Sequence, residues 1–224
     1  MPQKDQKSGP ESRIPTAAPP PATGGEQTPS SRAKWWISEL ISLAVVLAAV
    51  TAARSSLADH YYVPSGSMEY SLMPGDRVVV NKMAYGLRIP LTKIDIFGSS
   101  TPTRGEIAVF DSPQDGETRL IKRIVAIGGD RVSVVAGHLA INGQPLGDRQ
   151  VEHFGEREAL LNLTSGGGPD YEIEVPQGMV LAMGDHRGNS NDGRRFGLID
   201  ERELFGRAVG IYYRRGDGFT WKAL

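Results

Sequence analysis

Seven strand-sized runs closed by glycine, proline, asparagine or aspartate confine most of this chain to β structure. They are DRVVVNK (76–82), GEIAVFD (105–111), RLIKRIVAI (119–127), DRVSVVA (130–136), HLAING (138–143), MVLAMGD (179–185) and RAVGIYYR (207–214). Turn signals recur about every eight to twelve residues, and no long amphipathic helix interrupts the runs, a pattern that implies a mainly β, antiparallel domain. The Ala136-Gly137 step between two of the runs reads as a hairpin turn joining Val134 to Ile141. Residues 144–178, rich in glycine and charge, lack a clear period and are expected to form a smaller β-rich lobe or insertion. No internal repeat is present.

The N-terminal part has a different character. Residues 1–34 hold seven of the fifteen prolines and few large apolar side chains, so they cannot bury enough surface to offset their chain entropy and read as a disordered head. From Trp35 to Ala53 the chain runs WWISELISLAVVLAAVTAA, with Glu39 its one charge. As a helix rising 1.5 Å per residue it would cross the roughly 30 Å hydrocarbon layer. The Trp pair and Glu39 would then sit near one interface, because a carboxylate at the centre costs about 2.5–3.5 kcal/mol. Residues 35–54 are therefore expected to be a transmembrane anchor. Arg32 and Lys34 favour a cytoplasmic N-terminus, with 55–224 on the extracytoplasmic side, although Arg54 opposes them. Two other readings compete. A buried core helix would need partners on every side; a cleaved leader would use the small residues around Thr51–Ala53, but the long polar head disfavours it.

Composition removes several classes of chemistry. The chain has no cysteine, so disulfides, a thiolate zinc site and a cysteine nucleophile are excluded. Lys plus Arg total 25 against 26 Asp plus Glu, so no excess charge points to nucleic acid. His60, His138 and His153 lack metal-ligand spacing, and no glycine-rich phosphate loop occurs; no metal or cofactor is expected.

Three segments carry reactive groups. Pro64-Ser65-Gly66-Ser67-Met68 can present its second serine on a rigid turn, since proline fixes one backbone angle and glycine permits a close approach. In the strand 119–127, alternation places Lys122 with Leu120, Ile124 and Ala126 on one side, and Ile121, Arg123, Val125 and Ile127 on the other. An amine held among apolar side chains loses proton affinity and can accept a serine proton. The third segment, 184–194 (GDHRGNSNDGR), follows an apolar strand and is dense in hydrogen-bonding groups that can hold a site in place.

In this order behind an apolar span, these segments resemble type I signal peptidase, the Ser-Lys dyad serine endopeptidases of family S26. Further shared features are Pro74-Gly75-Asp76, Arg104-Gly105-Glu106, Ile121-Lys122-Arg123 and Gly128-Gly129-Asp130, and the similarity covers roughly 61–130 and 180–213. The resemblance implies a membrane-bound enzyme of the bacterial cytoplasmic membrane that removes signal peptides from exported preproteins. Ser67 would be the nucleophile and Lys122 its general base. Ser65 and the Ser67 backbone would form the oxyanion hole, and Ser190 would orient the lysine. Asp192 and Arg194 would support the site as an ion pair, with Asp185 beside them. Partners are then preproteins and the lipid bilayer; oligomeric state has no signal in the sequence. The chain departs from the usual pattern at Tyr70 and Ser71 after the nucleophile, and at His186, Gly188 and Gly193 in the polar loop. His186 also invites a Ser-His-Asp alternative with Ser67 and Asp185 or Asp192. Two further alternatives are a Ser-Lys peptidase dedicated to a pilin or conjugation precursor and a catalytically inactive membrane-tethered scaffold.

Overall fold

Helix α1 (Ser31–Leu57) runs without a break into strand β1 (Ala58–Tyr62). The structure, a computed structural model, describes residues 31–88, 95–97 and 100–224. The chain separates into two units, Met1–Val46 and Leu47–Leu224. In the first, α1 leaves Trp35, Trp36, Ile37, Leu40, Ile41, Leu43, Val45 and Val46 more than half exposed, so its apolar surface faces outward all round. The helix spans the stretch expected as an anchor; among the described residues, no helix is long and apolar enough to cross a membrane. The head expected over 1–34 lies outside the described residues up to position 30, and the helix starts at Ser31.

The second unit is built on an antiparallel sheet of eight strands. After β1 come β2 (Arg77–Asn81), β3 (Ile107–Asp111) and β4 (Arg119–Ile127). A smaller β region follows: β5 (Arg131–Val135), β6 (His138–Ile141), β7 (Val151–Phe154), β8 (Arg157–Leu160) and β9 (Tyr171–Glu174). The large sheet then resumes with β10 (Met179–Met183), β11 (Ile199–Asp200), β12 (Leu204–Arg214) and β13 (Gly218–Ala223). Its spatial order is β1-β2-β12-β3-β4-β10-β11. Strand β12 pairs with β2 along one edge, and with β3 and then β13 along the other. Glycine at 206 and 210 permits this crowding: a Cβ would lie 2.8 Å from Asn81 O at the first and 2.8 Å from the Trp221 ring at the second.

Alternation accounts for much of the sheet, as in β2, where Val78 and Val80 are fully buried and Arg77 is exposed. It fails in β4. Ala126 pairs with Leu181 but Ile124 pairs with Ala182, so Val125 is an extra residue in a bulge. Ala126 therefore packs with Val125 in one apolar cluster while Ile124 and Leu120 join Ala108 and Phe110 in another, correcting the expected grouping of Ala126 with Ile124.

The Val134–Ile141 hairpin forms as expected, with Ala136 and Gly137 both at positive φ and Val135 opposite His138. Strands β9, β5 and β6 and the short segment Gln144–Pro145 make a four-stranded sheet; β7 and β8 with Gly147–Asp148 make a three-stranded ribbon. Val132, Val134, Leu139, Phe154 and Ala159 share a core with Val125, Leu181 and Met183 of the large sheet. A fully buried pair completes the junction. Arg187 Nη1 and Nη2 donate to the two Glu152 carboxylate oxygens at 2.7 and 2.5 Å, and Arg187 also donates to the carbonyls of Gly137 and Gly184. Glu152→Ala leaves this guanidinium buried without its anion and is expected to cost about 3–5 kcal/mol, read as a lowered urea midpoint; an unchanged midpoint would refute the assignment.

Candidate active site

The turn carrying Ser67 is held by apolar anchoring and by backbone bonds. Met68 and Leu72 are fully buried, and Leu72 N–H donates to Met68 O at 2.8 Å. Val63 exchanges bonds with Asp76 and Gly75, so the Pro74-Gly75-Asp76 motif closes the far side of the loop. The Asp76 carboxylate accepts Met73 N–H at 2.9 Å and Arg214 Nη2 at 2.6 Å. Gly75 adopts φ +98°, in the region that favours glycine.

Lys122 reaches this turn from β4, opposite Ala108 of β3. Its Nζ donates to Ser67 Oγ at 2.7 Å and to Ile121 O at 3.2 Å; both Ser67 and Lys122 are buried. Burial lowers the Lys122 pKa to about 8, against an opposing pull from the carboxylates of Asp192 and Asp185. Near neutrality, then, an appreciable fraction of this amine is uncharged and within hydrogen-bond reach of a hydroxyl, the arrangement that lets it take the proton. Ser65 is exposed, and its Oγ lies 3.4 Å from Ser67 Oγ.

The third segment begins where β10 ends. Asp185 accepts Arg123 Nε at 2.9 Å and Nη2 at 2.7 Å, and Arg123 also donates to Gly105 O and Ser71 Oγ. Asp192 caps the short helix α2 (Gly193–Phe196), accepts Gly184 N–H at 3.0 Å and pairs with Arg194 at 2.8 Å. Although burial acts to raise it, the Asp192 pKa is held below the usual carboxylate range by Arg194 and the Gly184 N–H. Arg194 continues to the carbonyls of Gly167 and Arg187. Ser190 makes no hydrogen bond to Lys122; its Oγ is buried and helps to lower the Asp192 pKa. The His186 backbone N–H donates to Ser67 O at 3.1 Å, whereas its ring lies 3.2 Å from Glu69 and 3.1 Å from Ser165. That placement gives the Ser-His-Asp alternative no support, because the imidazole is engaged away from Ser67 Oγ.

The family profile described as signal peptidase, peptidase S26 matches residues 35–213. The chain belongs to this family. It is 31% identical to signal peptidase I of Pseudomonas aeruginosa over 195 residues, 75% of this chain and 69% of that one. It is 30% identical to signal peptidase I of Pseudomonas fluorescens, with the same shares covered. Against signal peptidase I of Leptolyngbya laminosa the identity is 31%, over 89% of this chain and 90% of that one.

Within this S26 peptidase three of the departures have local reasons, and nothing in the structure explains Tyr70. Ser71 supplies a hydroxyl to Arg123. A Cβ at Gly188 would lie 2.0 Å from Ser165 O, and one at Gly193 would lie 2.6 Å from Leu181 Cδ1. Arg123, Glu69, Asn162 and Gly184 are the site residues that sequence reasoning left without a role; only Arg123 and Gly184 fall inside motifs. At Gly184 a Cβ would sit 2.3 Å from Ser190 Oγ and 2.4 Å from Ser67 O. Gly184→Ala must therefore shift the Ser67 turn. The expected result is a loss of roughly 100-fold or more in kcat with the circular dichroism spectrum retained; parental turnover would contradict the packing described.

Proposed function

We propose that this protein cuts signal peptides from exported preproteins with Ser67 as nucleophile and Lys122 as general base. It is a serine endopeptidase of the signal peptidase family; the assignment of roles to residues is carried by the 2.7 Å contact between the Lys122 amine and the Ser67 hydroxyl inside a buried site. Lys122 takes the Ser67 proton, the alkoxide attacks the scissile carbonyl, and the protonated lysine then returns the proton to the departing amine. Water, deprotonated by the same amine, releases the acyl group. The Ser65 hydroxyl and the Ser67 backbone N–H are assigned to the oxyanion, where one donor contributes about 3–4 kcal/mol in other serine proteases. Ser190, whose hydroxyl is buried, is assigned to orient the Lys122 amine. Asp185, Asp192 and Arg194 hold the surrounding loop.

Residues 35–54 are proposed as a single membrane anchor, with the N-terminus cytoplasmic and 55–224 forming the catalytic domain outside the bacterial inner membrane. Its support is the outward-facing apolar surface of α1 and the basic residues before it. Substrates are proposed to carry small side chains at the first and third positions before the cleaved bond, as the family resemblance implies.

Ser67→Ala and Lys122→Ala, assayed on a model preprotein, are each expected to lose at least about four orders of magnitude in activity; near-parental cleavage by either would remove the dyad. With the Lys122 pKa at about 8, kcat/KM should climb as pH rises through that value and the amine becomes neutral. A profile flat from pH 6 to pH 10 would contradict a lysine base. The anchor predicts that the protein leaves membranes with detergent and stays through a high-salt wash; release by salt alone would argue against it.

A further inference from the structure

We propose that Glu69 and His186 act together as positioning residues that set the Gly66–Ser67 peptide, an inference that rests on Ser67 being the nucleophile. Glu69 lies two residues beyond that serine, and its N–H donates to Gly66 O at 3.1 Å, closing the turn on itself. Its side chain folds back over the turn: an ideal Cβ at Gly66 would fall 2.5 Å from Glu69 Oε1 and 2.9 Å from its Cδ. The carboxylate thus packs directly against Gly66, beside the peptide whose N–H is assigned to the oxyanion.

The other carboxylate oxygen is bonded from one direction and packed from another. Asn162 Nδ2 donates to Glu69 Oε2 at 3.1 Å, and His186 Nδ1 lies 3.2 Å from the same oxygen, in contact but without hydrogen-bond alignment. The second ring nitrogen of His186 is 3.1 Å from Ser165 Oγ, and the His186 side chain is only 7% exposed. These supports are themselves fixed to the loop after β10. Asn162 N–H donates to Asp185 O, Asn162 O accepts Arg187 N–H, and His186 N–H donates to Ser67 O. His186 therefore meets the nucleophile turn twice, by a backbone bond at Ser67 and by ring contact with Glu69.

Electrostatics gives the grip a purpose. A carboxylate near a developing oxyanion opposes it by Coulomb repulsion. The Asn162 amide bonds Glu69 Oε2 and the imidazole packs against it, keeping the group where its packing orients Gly66. When the strap is cut, the peptide N–H loses its aim and the charge is free to wander toward the hole. Such misplacement acts on the transition state and leaves substrate binding largely intact.

The test measures kcat and KM of the full-length protein in detergent for Glu69→Ala, His186→Ala and the double variant. Each single change is expected to lower kcat about tenfold with KM within about twofold, and the double variant should be no worse than the poorer single, since both cut one strap. Glu69→Gln, which keeps an acceptor oxygen against Gly66, should recover kcat to within about threefold of the parent. If Glu69→Ala folds poorly, Glu69→Asp withdraws the carboxylate by one methylene while keeping its charge, and a lowered kcat at an unchanged melting temperature is expected. Parental kcat in the single variants, single losses that multiply in the double, or a loss confined to KM would overturn the proposal. A Ser67→Ala control separates the two levels. Activity surviving in that control removes the nucleophile assignment, whereas an inactive control beside fully active Glu69→Ala and His186→Ala proteins removes the strap alone.

Discussion

A lysine amine kept dry against a serine hydroxyl is the constraint around which this domain is arranged. An ammonium ordinarily stays in water, and withdrawing it is what depresses its proton affinity. Here the withdrawal is accomplished by β4 lying between β3 and β10, with Ala108 opposite Lys122, and by a turn pinned through fully buried Met68 and Leu72. The nearby carboxylates act in the other direction, and both are already committed to guanidinium groups: Asp185 to Arg123 and Asp192 to Arg194. Burial is the larger influence on Lys122, and the two carboxylates oppose it without overcoming it.

The same device recurs at each acidic motif residue. Asp76 takes Arg214, Glu106 takes Arg207 and Asp130 takes Arg104, and the fully buried Arg187 takes Glu152. Buried ion pairs add little net stability compared with apolar packing, but each fixes two segments in one relative geometry, and removing one partner is costly. Arg123 illustrates this, tying Asp185, Gly105 O and Ser71 Oγ together. The result is a site whose parts come from four stretches of chain yet meet within hydrogen-bond tolerances.

Much of this was legible in the residues. Period-two alternation marked the strands, the Ala136-Gly137 step marked its hairpin, and the serine and lysine motifs named the two groups now found 2.7 Å apart. What escaped was non-local. The bulge at Val125 depends on how β10 pairs with β4, which no pattern within 119–127 reveals. The Arg123–Asp185 pair spans 62 positions, and the strap joining Glu69, Asn162 and His186 leaves no spacing signal. Ser190, which the resemblance makes the residue orienting the lysine, makes no hydrogen bond to it. Composition marks the smaller β region at 144–178, but its sheet begins at Arg131 and shares a core with Leu181 and Met183, so composition alone is a poor marker for where it starts.

The charge state of one side chain decides whether this arrangement works. Carbon-13 NMR of lysine-labelled protein, with the Lys122 resonance assigned by its disappearance in Lys122→Arg, follows that amine through its titration. A midpoint close to pH 8 is the expected result. A midpoint above about 10, the value of a lysine in water, would mean that the amine remains charged at working pH and cannot be the base.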